Sequence, residues 1–559
     1  MITQTHSVGS DLYREQLFPT LDARQIARFV DLGHLREMRA GEIVVKQGER
    51  DLPFLLVIQG AIEVLWPTAG ANEVIATHYS GQFFGDVGML SGRRSLVDVR
   101  VKDAGSLIRI DRAKLQELVQ NDSNLSEILM RAFILRRLEL IANGWGDAVL
   151  LGSKSSPGTL RIKEFLSRNG HPFSYVDIDG ESDVQPVLDH FRVTGDEIPI
   201  VICRGQYVLR NPTNREIADC LELNEGIDES QVRDVIIIGA GPSGLAAAVY
   251  AASEGLDVLV IEIVAPGGQA GSSSKIENYL GFPTGISGHE LATSAYAQAQ
   301  KFGARIMIAR EVTRIECDEK PYRVQLDGNT YVTARSIVIA SGAQYRKLPL
   351  DNLSRFEGAG VYYGATFIEA QLCLDHEVIV VGGGNSAGQA AVFLAQTAKH
   401  VHVLIRSGQL SDTMSRYLIR RIEESERITL HPFTEIESLE GIACLEAVTW
   451  CDNRSKSIER REIGHVFLMT GAMPNTKWLT GCLALDDRGF VKTGSTLGLE
   501  DLSDPRWLGN RTPELLETSL PAVFAVGDVR SGNVKRVASA VGEGSIVIHL
   551  VHKAVVQSN

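Results

Sequence analysis

Two glycine clusters are the residues of this protein whose types and spacing best suit the binding of a dinucleotide. The first is Gly239, Gly241 and Gly244, set between a β-branched run starting at Asp234 and an alanine-rich stretch, Leu245–Glu254, that reads as a helix. In a strand-to-helix turn of this G-x-G-x-x-G form, Gly239 permits the tight turn and Gly241 lets a pyrophosphate approach the backbone. Gly244 then allows close helix–strand packing. Pro242 and Ser243 complete the turn, where the N–H groups and positive dipole end of the helix face the phosphates. Glu262 closes the next strand, Asp257–Glu262, where a carboxylate accepts hydrogen bonds from a ribose. The second cluster is Gly382, Gly384 and Ala387, with Asn385 and Ser386 inside it. It follows a strand beginning at Glu377, runs as a helix through Ala398 and reaches the strand His400–Ile405. Arg406 stands where Glu262 stands in the first unit. A guanidinium there can pair with a 2′-phosphate, which favours NADP over NAD.

Two such sites in one polypeptide imply two nucleotides that exchange a hydride, and flavin with nicotinamide is the usual pairing. The segment Phe524–Asp528 (FAVGD) returns to the first unit, where Asp528 could bond the ribityl group of FAD, so the nicotinamide domain is inserted into the FAD domain. From about residue 233 onward the sequence resembles low-molecular-weight thioredoxin reductases. The matching segments are GAGPSG at 239, GGQAGSSSKIENYLGFP at 267–283, ASGA at 340, GGGNSAGQAA at 382–391 and GDVRSGNVKRVASAVGEG at 527–544. The resemblance implies FAD and either NADPH or NADH as cofactors, and a homodimer. It places Gly268, Gln269, Ser274, Asn278, Gly342, Gly527 and Asp528 along the flavin pocket, with Arg536 and Ala538 near the isoalloxazine end.

The resemblance also implies a C-x-x-C pair just after a G-V-x-Y/F segment. Here Gly360-Val361-Tyr362-Tyr363 is followed by Gly364-Ala365-Thr366-Phe367, with no sulfur at either position. A dithiol relay needs one thiol to attack and one to resolve. Electrons must therefore leave the flavin for an unidentified acceptor: a quinone, oxygen, a small redox protein or a disulfide in a partner. Cys373 is a lone thiol nearby, read as a buried structural residue. The arginine pair of the family is reduced to Arg406 in Ile405-Arg406-Ser407-Gly408, with Arg416, Arg420 and Arg421 as neighbours.

These sites need several domains to position them, because 559 residues exceed what one core can serve. Residues 233–348 and 479–559 read as the two parts of the FAD domain and 349–478 as the nicotinamide domain, two nested Rossmann-like α/β units. Residues 146–226 alternate strand (Ala148–Leu151), helix (Thr159–Asn169), strand (Phe173–Ile178), helix (Val184–Phe191), a hairpin (Pro199–Cys203 and Tyr207–Leu209) and a helix from Asn214. That is a thioredoxin-like α/β pattern, with Ile198-Pro199 at its expected cis-proline. Its first strand–helix junction, Gly152–Gly158, has serines where redox-active versions have cysteine. Residues 1–145 carry short glycine-punctuated strands and a helix over about 125–142, a β-roll that resembles cyclic-nucleotide-binding domains. Gly85, Asp86, Arg94 and Ser95 would form its phosphate cassette, Asp86 facing the ribose and Arg94 the cyclic phosphate.

Bulk properties narrow the function classes. The net charge of −13 argues against nucleic acid as a partner. No apolar run approaches the ~20 residues that span a bilayer, and the N-terminus lacks a signal-peptide pattern. Seven cysteines, an odd number with no C-x-x-C spacing, argue against a disulfide framework or a zinc ribbon and point to the cytoplasm. The leading expectation is an FAD-dependent NAD(P)H oxidoreductase, with the N-terminal domain as a sensor. The alternatives are a sensor flavoprotein with little turnover and a thioredoxin reductase that relies on a partner's cysteines. Electron entry from ferredoxin is disfavoured by the intact Gly382–Ala387 turn.

Overall fold

The computed structural model describes residues 13–67, 72–154, 156–179, 197–411, 414–442, 444–502, 507 and 511–557. Two 13-residue strands, Phe54–Trp66 and Asp98–Ile110, pair antiparallel along most of their length and carry a six-stranded roll. The roll closes on an aromatic cluster in which Phe54 lies 5.3 Å from both Phe29 and Phe83, ring centre to ring centre. Phe133 packs edge-on to Phe54 and Phe83. It comes from the helix Ser123–Ala142, whose first turn is capped by the Asp122 carboxylate.

The next sheet has four strands, in the order Tyr207–Arg210, Ile200–Cys203, Ala148–Gly152 and Phe173–Asp177. Ala148–Gly152 runs parallel to Phe173–Asp177 and antiparallel to Ile200–Cys203. The helix Pro157–Arg168 starts two residues earlier than the sequence pattern places it, with Pro157 in its first turn and Ser156 as cap. The Ile198–Pro199 bond is cis. The expected helix Val184–Phe191, and Ser155 at the junction, lie outside the described residues.

A parallel core of Arg305–Met307, Val258–Ile261, Val232–Ile238 and Tyr331–Ile339 builds the sheet that carries the first glycine turn. Val258–Ile261 and the ends of the next two strands, residues 235–238 and 337–339, are buried on both faces, so they read as unbroken apolar runs rather than alternating ones. Val523–Ala525 joins Tyr331–Ile339 as a further parallel strand. The sheet that carries the second glycine turn is entirely parallel, in the order Val361–Tyr362, Val466–Leu468, Glu377–Val381, His400–Leu404 and Ile428–His431. It connects to the first through the antiparallel pair Ala343–Tyr345 and Ala472–Pro474. No described helix is long and apolar enough to cross a membrane, and no described cluster of His, Cys, Asp and Glu could hold a metal ion.

One expectation is overturned. Cys317 and Cys482 are joined as a disulfide, with their Cα atoms 6.1 Å apart. Sequence spacing is blind to a pair separated by 165 residues. The fold brings them together because Cys317 follows the strand Val312–Glu316, Cys482 follows the turn Lys477–Leu479, and both pack on one apolar cluster. The other five cysteines are free thiols. Alkylation of the unreduced, denatured protein should therefore label five cysteines and leave a crosslinked peptide pair containing Cys317 and Cys482, read by mass spectrometry. Seven labelled thiols would refute the bond.

Candidate functional site

The first glycine turn joins the strand Val232–Ile238 to the helix Pro242–Ser253. The helix starts three residues before the alanine-rich stretch, because proline at the first position needs no N–H partner and arrives with helical φ. Two of the three glycines are demanded by packing. Gly239 has φ +105°, and a Cβ there would meet the Ala340 carbonyl oxygen at 2.4 Å; at Gly244 it would meet the Gly239 oxygen at 1.9 Å. Gly241 is different. Its backbone is extended, and the only atom within 4 Å of its Cβ position is the Gly268 Cα, at 3.9 Å. This helix has no side-chain cap, so the N–H groups of its first turn are left for another acceptor.

Around that turn the fold gathers its other candidates. Glu262 is buried, and its carboxylate accepts the N–H groups of Ala240 at 2.7 Å and Val264 at 2.9 Å. Burial pushes its pKa up, against the pull of those hydrogen bonds. Gly527 N–H donates to Glu543 at 2.7 Å, and a Cβ on Gly527 would lie 2.5 Å from the Ser243 Oγ. That close approach brings the turn Gly527–Val529 onto the helix start. Burial likewise raises Asp528, while Lys535 acts in the opposite sense. Gly342 (φ +64°) has open space around it. Gln269, Asn278, Arg536 and Ala538 are exposed and Ser274 is half-buried. No side-chain hydrogen bond among the described residues ties these five to the glycine turn.

The second turn repeats the first in its physics. Gly382 has φ +144°, and its Cβ would meet the Met469 oxygen at 2.3 Å. Gly384 is extended with nothing within 4 Å, and the helix Asn385–Leu394 again lacks a side-chain cap. Ala387 is fully buried. Asn385 accepts the Ser415 N–H at 2.7 Å, which fixes the turn against the helix Arg416–Glu423. Burial raises the pKa of the Tyr345 phenol, with the Ser386 hydroxyl acting to lower it and the Asp528 charge to raise it. Tyr345 thus stands between the two turns, a position that nothing in the sequence pattern singles out. Arg406 is 71% exposed, 4.0 Å from Glu435. Arg421 reaches across to Glu277 at 2.6 Å, while Arg416 and Arg420 are exposed.

The profile of the pyridine nucleotide-disulphide oxidoreductases matches residues 233–544, which hold both turns. The protein belongs to that family. Residues 35–122 match the profile of the cyclic nucleotide-binding domain. Thioredoxin reductase of Bacillus subtilis is 31% identical over 328 residues, 58% of this sequence and 95% of that protein. The Listeria monocytogenes thioredoxin reductase is 32% identical over 324 residues, 57% of this sequence and 92% of that one. Among solved structures, Lactococcus lactis thioredoxin reductase in its FR conformation superposes with a TM-score of 0.52 at 27% identity, covering 58% of this protein and 99% of that one. The T. acidophilum enzyme gives 0.51 at 27%, covering 58% of this protein and all of its own. FAD and NADPH are the cofactors of such reductases, and the two open, uncapped glycine turns fit them.

The segment Gly364–Phe367 lies against the unit of the first glycine turn, with Ala365 bridged to Ser273. Thr366 caps the short helix Phe367–Leu372 together with Glu369, and Phe367 is 69% exposed. Cys373 is buried, its thiol donates to the Glu369 carbonyl at 3.2 Å, and burial pushes its pKa up to about 11. In the N-terminal roll, a Cβ on Gly85 would meet Met89 and Phe133. Asp86 caps the turn Val87–Met89 through the Gly88 N–H at 3.0 Å, Ser95 Oγ donates to the Val97 carbonyl at 2.7 Å, and Arg94 is buried.

The contrast between the glycines of the second turn is testable. Gly382→Ala should destabilise the protein by about 1–3 kcal/mol through strain and the clash with Met469. Gly384→Ala should stay within about 1 kcal/mol of the parent. Thermal unfolding of the two variants reads the difference, and equal losses would contradict the geometry.

Proposed function

We propose that the protein is an FAD-dependent NAD(P)H oxidoreductase that passes its electrons to an acceptor other than a C-x-x-C pair of its own. The observation that carries this reading is the repeated turn, with Gly241 and Gly384 each facing open space at an uncapped helix start. Bound FAD would supply the two-electron centre between nicotinamide and acceptor. The protein's own part is to hold and orient. The helix N-termini offer N–H groups to the two pyrophosphates. Glu262 is set to receive a ribose hydroxyl, and Asp528 lies in the turn that closes over the first site. Arg406 is the exposed guanidinium available to a 2′-phosphate.

The acceptor is not reduced through Gly364–Phe367, where a backbone turn, Thr366 and an exposed Phe367 replace sulfur. Cys373 does not substitute, since a buried thiol with a raised pKa is a poor nucleophile. We read residues 146–226 as a thioredoxin-like unit without redox function. Ser153 Oγ donates to Asp179 at 2.6 Å, and Ser156 caps the helix, at the junction where a redox-active version needs thiols. A quinone, oxygen or a partner disulfide are the acceptor classes to screen.

Anaerobic mixing with NADPH should bleach the flavin rapidly; no bleaching over minutes by NADPH or NADH, with FAD bound, sinks the enzyme reading. Gly384→Val should keep its FAD and slow that reduction at least about tenfold, equivalent to about 1.4 kcal/mol. Arg406→Glu should lower the NADPH-over-NADH ratio of kcat/KM by about tenfold. An unchanged ratio would assign the 2′-phosphate to another residue.

A further inference from the structure

Four arginines surround the turn Val87–Met89 of the N-terminal roll, and each guanidinium has its acceptor inside the protein. Arg136 lies buried beneath the turn. It donates to the carbonyls of Leu17, Phe83 and Gly85 at 3.0, 3.0 and 2.9 Å, and burial pushes its pKa down to about 9. The other three reach into neighbouring units. Arg137 donates to Asp86 at 3.2 Å and to the Gly170 carbonyl at 2.9 Å. Arg93 reaches the Asn169 carbonyl at 3.2 Å and the Tyr296 hydroxyl at 3.4 Å. Arg94 pairs with Asp147, and the two residues' functional groups are only 5% and 7% exposed.

Asp147 immediately precedes the central strand Ala148–Gly152 of the four-stranded sheet. Its other oxygen accepts the Nε2–H of His171 at 3.0 Å. Burial works against the Asp147 carboxylate, yet the His171 hydrogen bond and the Arg94 charge hold it below the usual carboxylate range. Burial pushes the His171 pKa down, against the pull of Asp147. Arg94 supplies the guanidinium paired with Asp147. Burial lowers the Arg94 pKa while Asp147 opposes the shift.

The engaged groups are those assigned by resemblance to a cyclic nucleotide. Asp147 takes Arg94 and Arg137 takes Asp86, while the Ser95 N–H donates to the Glu49 carbonyl at 2.9 Å. A free phosphate reaching Arg94 has to displace Asp147, leaving that buried carboxylate without its guanidinium, and breaking a buried ion pair is strongly unfavourable. We propose that the anion bound by Arg94 is Asp147 of the same polypeptide. The N-terminal unit is a docking module for the four-stranded sheet, and its cassette is closed to free cyclic nucleotides. This assignment requires no flavin chemistry, so it stands or falls separately from the oxidoreductase reading.

Two measurements on the full-length, FAD-loaded protein test it. Calorimetric titration of the unaltered protein with cyclic AMP and with cyclic GMP should give no saturable heat; saturable binding of either overturns the proposal. Asp147→Asn keeps the shape and removes the charge. By hydrogen exchange, amides in residues 85–97 and 148–152 should open together at least about tenfold more often than in the parent, with FAD absorbance retained. Unchanged protection in both segments would show that the pair does not hold the units together, and would equally overturn the proposal.

Discussion

Three consecutive ladder pairs, Ile337 with Val523, Val338 with Phe524 and Ile339 with Ala525, close the sheet of the first glycine turn after the polypeptide has built the whole second unit. Most of the site geometry depends on them. The returning strand delivers Gly527 against Ser243, and the following helix, Val537–Gln557, lies along Pro242–Ser253 so closely that a Cβ on Gly544 would meet the Ser243 carbonyl at 2.2 Å. Because the sheet must be re-entered, the inserted unit leaves and returns through one narrow antiparallel connection. Tyr345 is on that connection, which is why one phenol can feel both the Ser386 hydroxyl and the charge of Asp528.

The four-stranded sheet is more than a passenger on this frame. Arg168, at the end of its first helix, donates to the Gly268 carbonyl at 2.8 Å, and Asn169 donates to the Val264 carbonyl at 3.2 Å. Leu160 of the same helix joins the apolar cluster of the unit that carries the second glycine turn, with Tyr362, Ala365 and Cys373. Pro157 lies 3.0 Å from where a Gly358 Cβ would be. One helix therefore touches both units that carry a glycine turn, beside the segment Gly364–Phe367.

What was legible in the sequence was what local chemistry dictates. The glycines of both turns announce themselves because a tight turn and a close backbone approach tolerate nothing larger, and Glu262 follows at the end of the next strand. The long apolar runs disclose parallel strands for the same reason. Contacts made by distant segments left no trace. Cys317 and Cys482 have no telling spacing, and Asp147 stands just ahead of the first strand of its unit with nothing around it to mark it. The pairing of Arg94 depends on how two separately folded sheets meet. Tyr345 follows the ASGA segment closely, but nothing in its neighbours reveals that it faces the second glycine turn. Helix ends moved for local reasons: Pro157 and Pro242 started helices early, and the helix expected to run to Ala398 ends at Leu394.

The position of Asp147 along the backbone has a further consequence. Only residues 143–146 separate it from the helix Ser123–Ala142 that carries Arg136 and Arg137. A carboxylate on so short a tether experiences its arginine at an effective concentration on the order of millimolar. Any diffusible anion of equal intrinsic affinity must match that concentration before it occupies Arg94 half the time. Shortness of covalent connection thus adds to the cost of leaving Asp147 unpaired in setting the threshold for competition at this interface. Lengthening those four residues would lower the threshold while leaving the Arg94–Asp147 pair itself chemically unchanged.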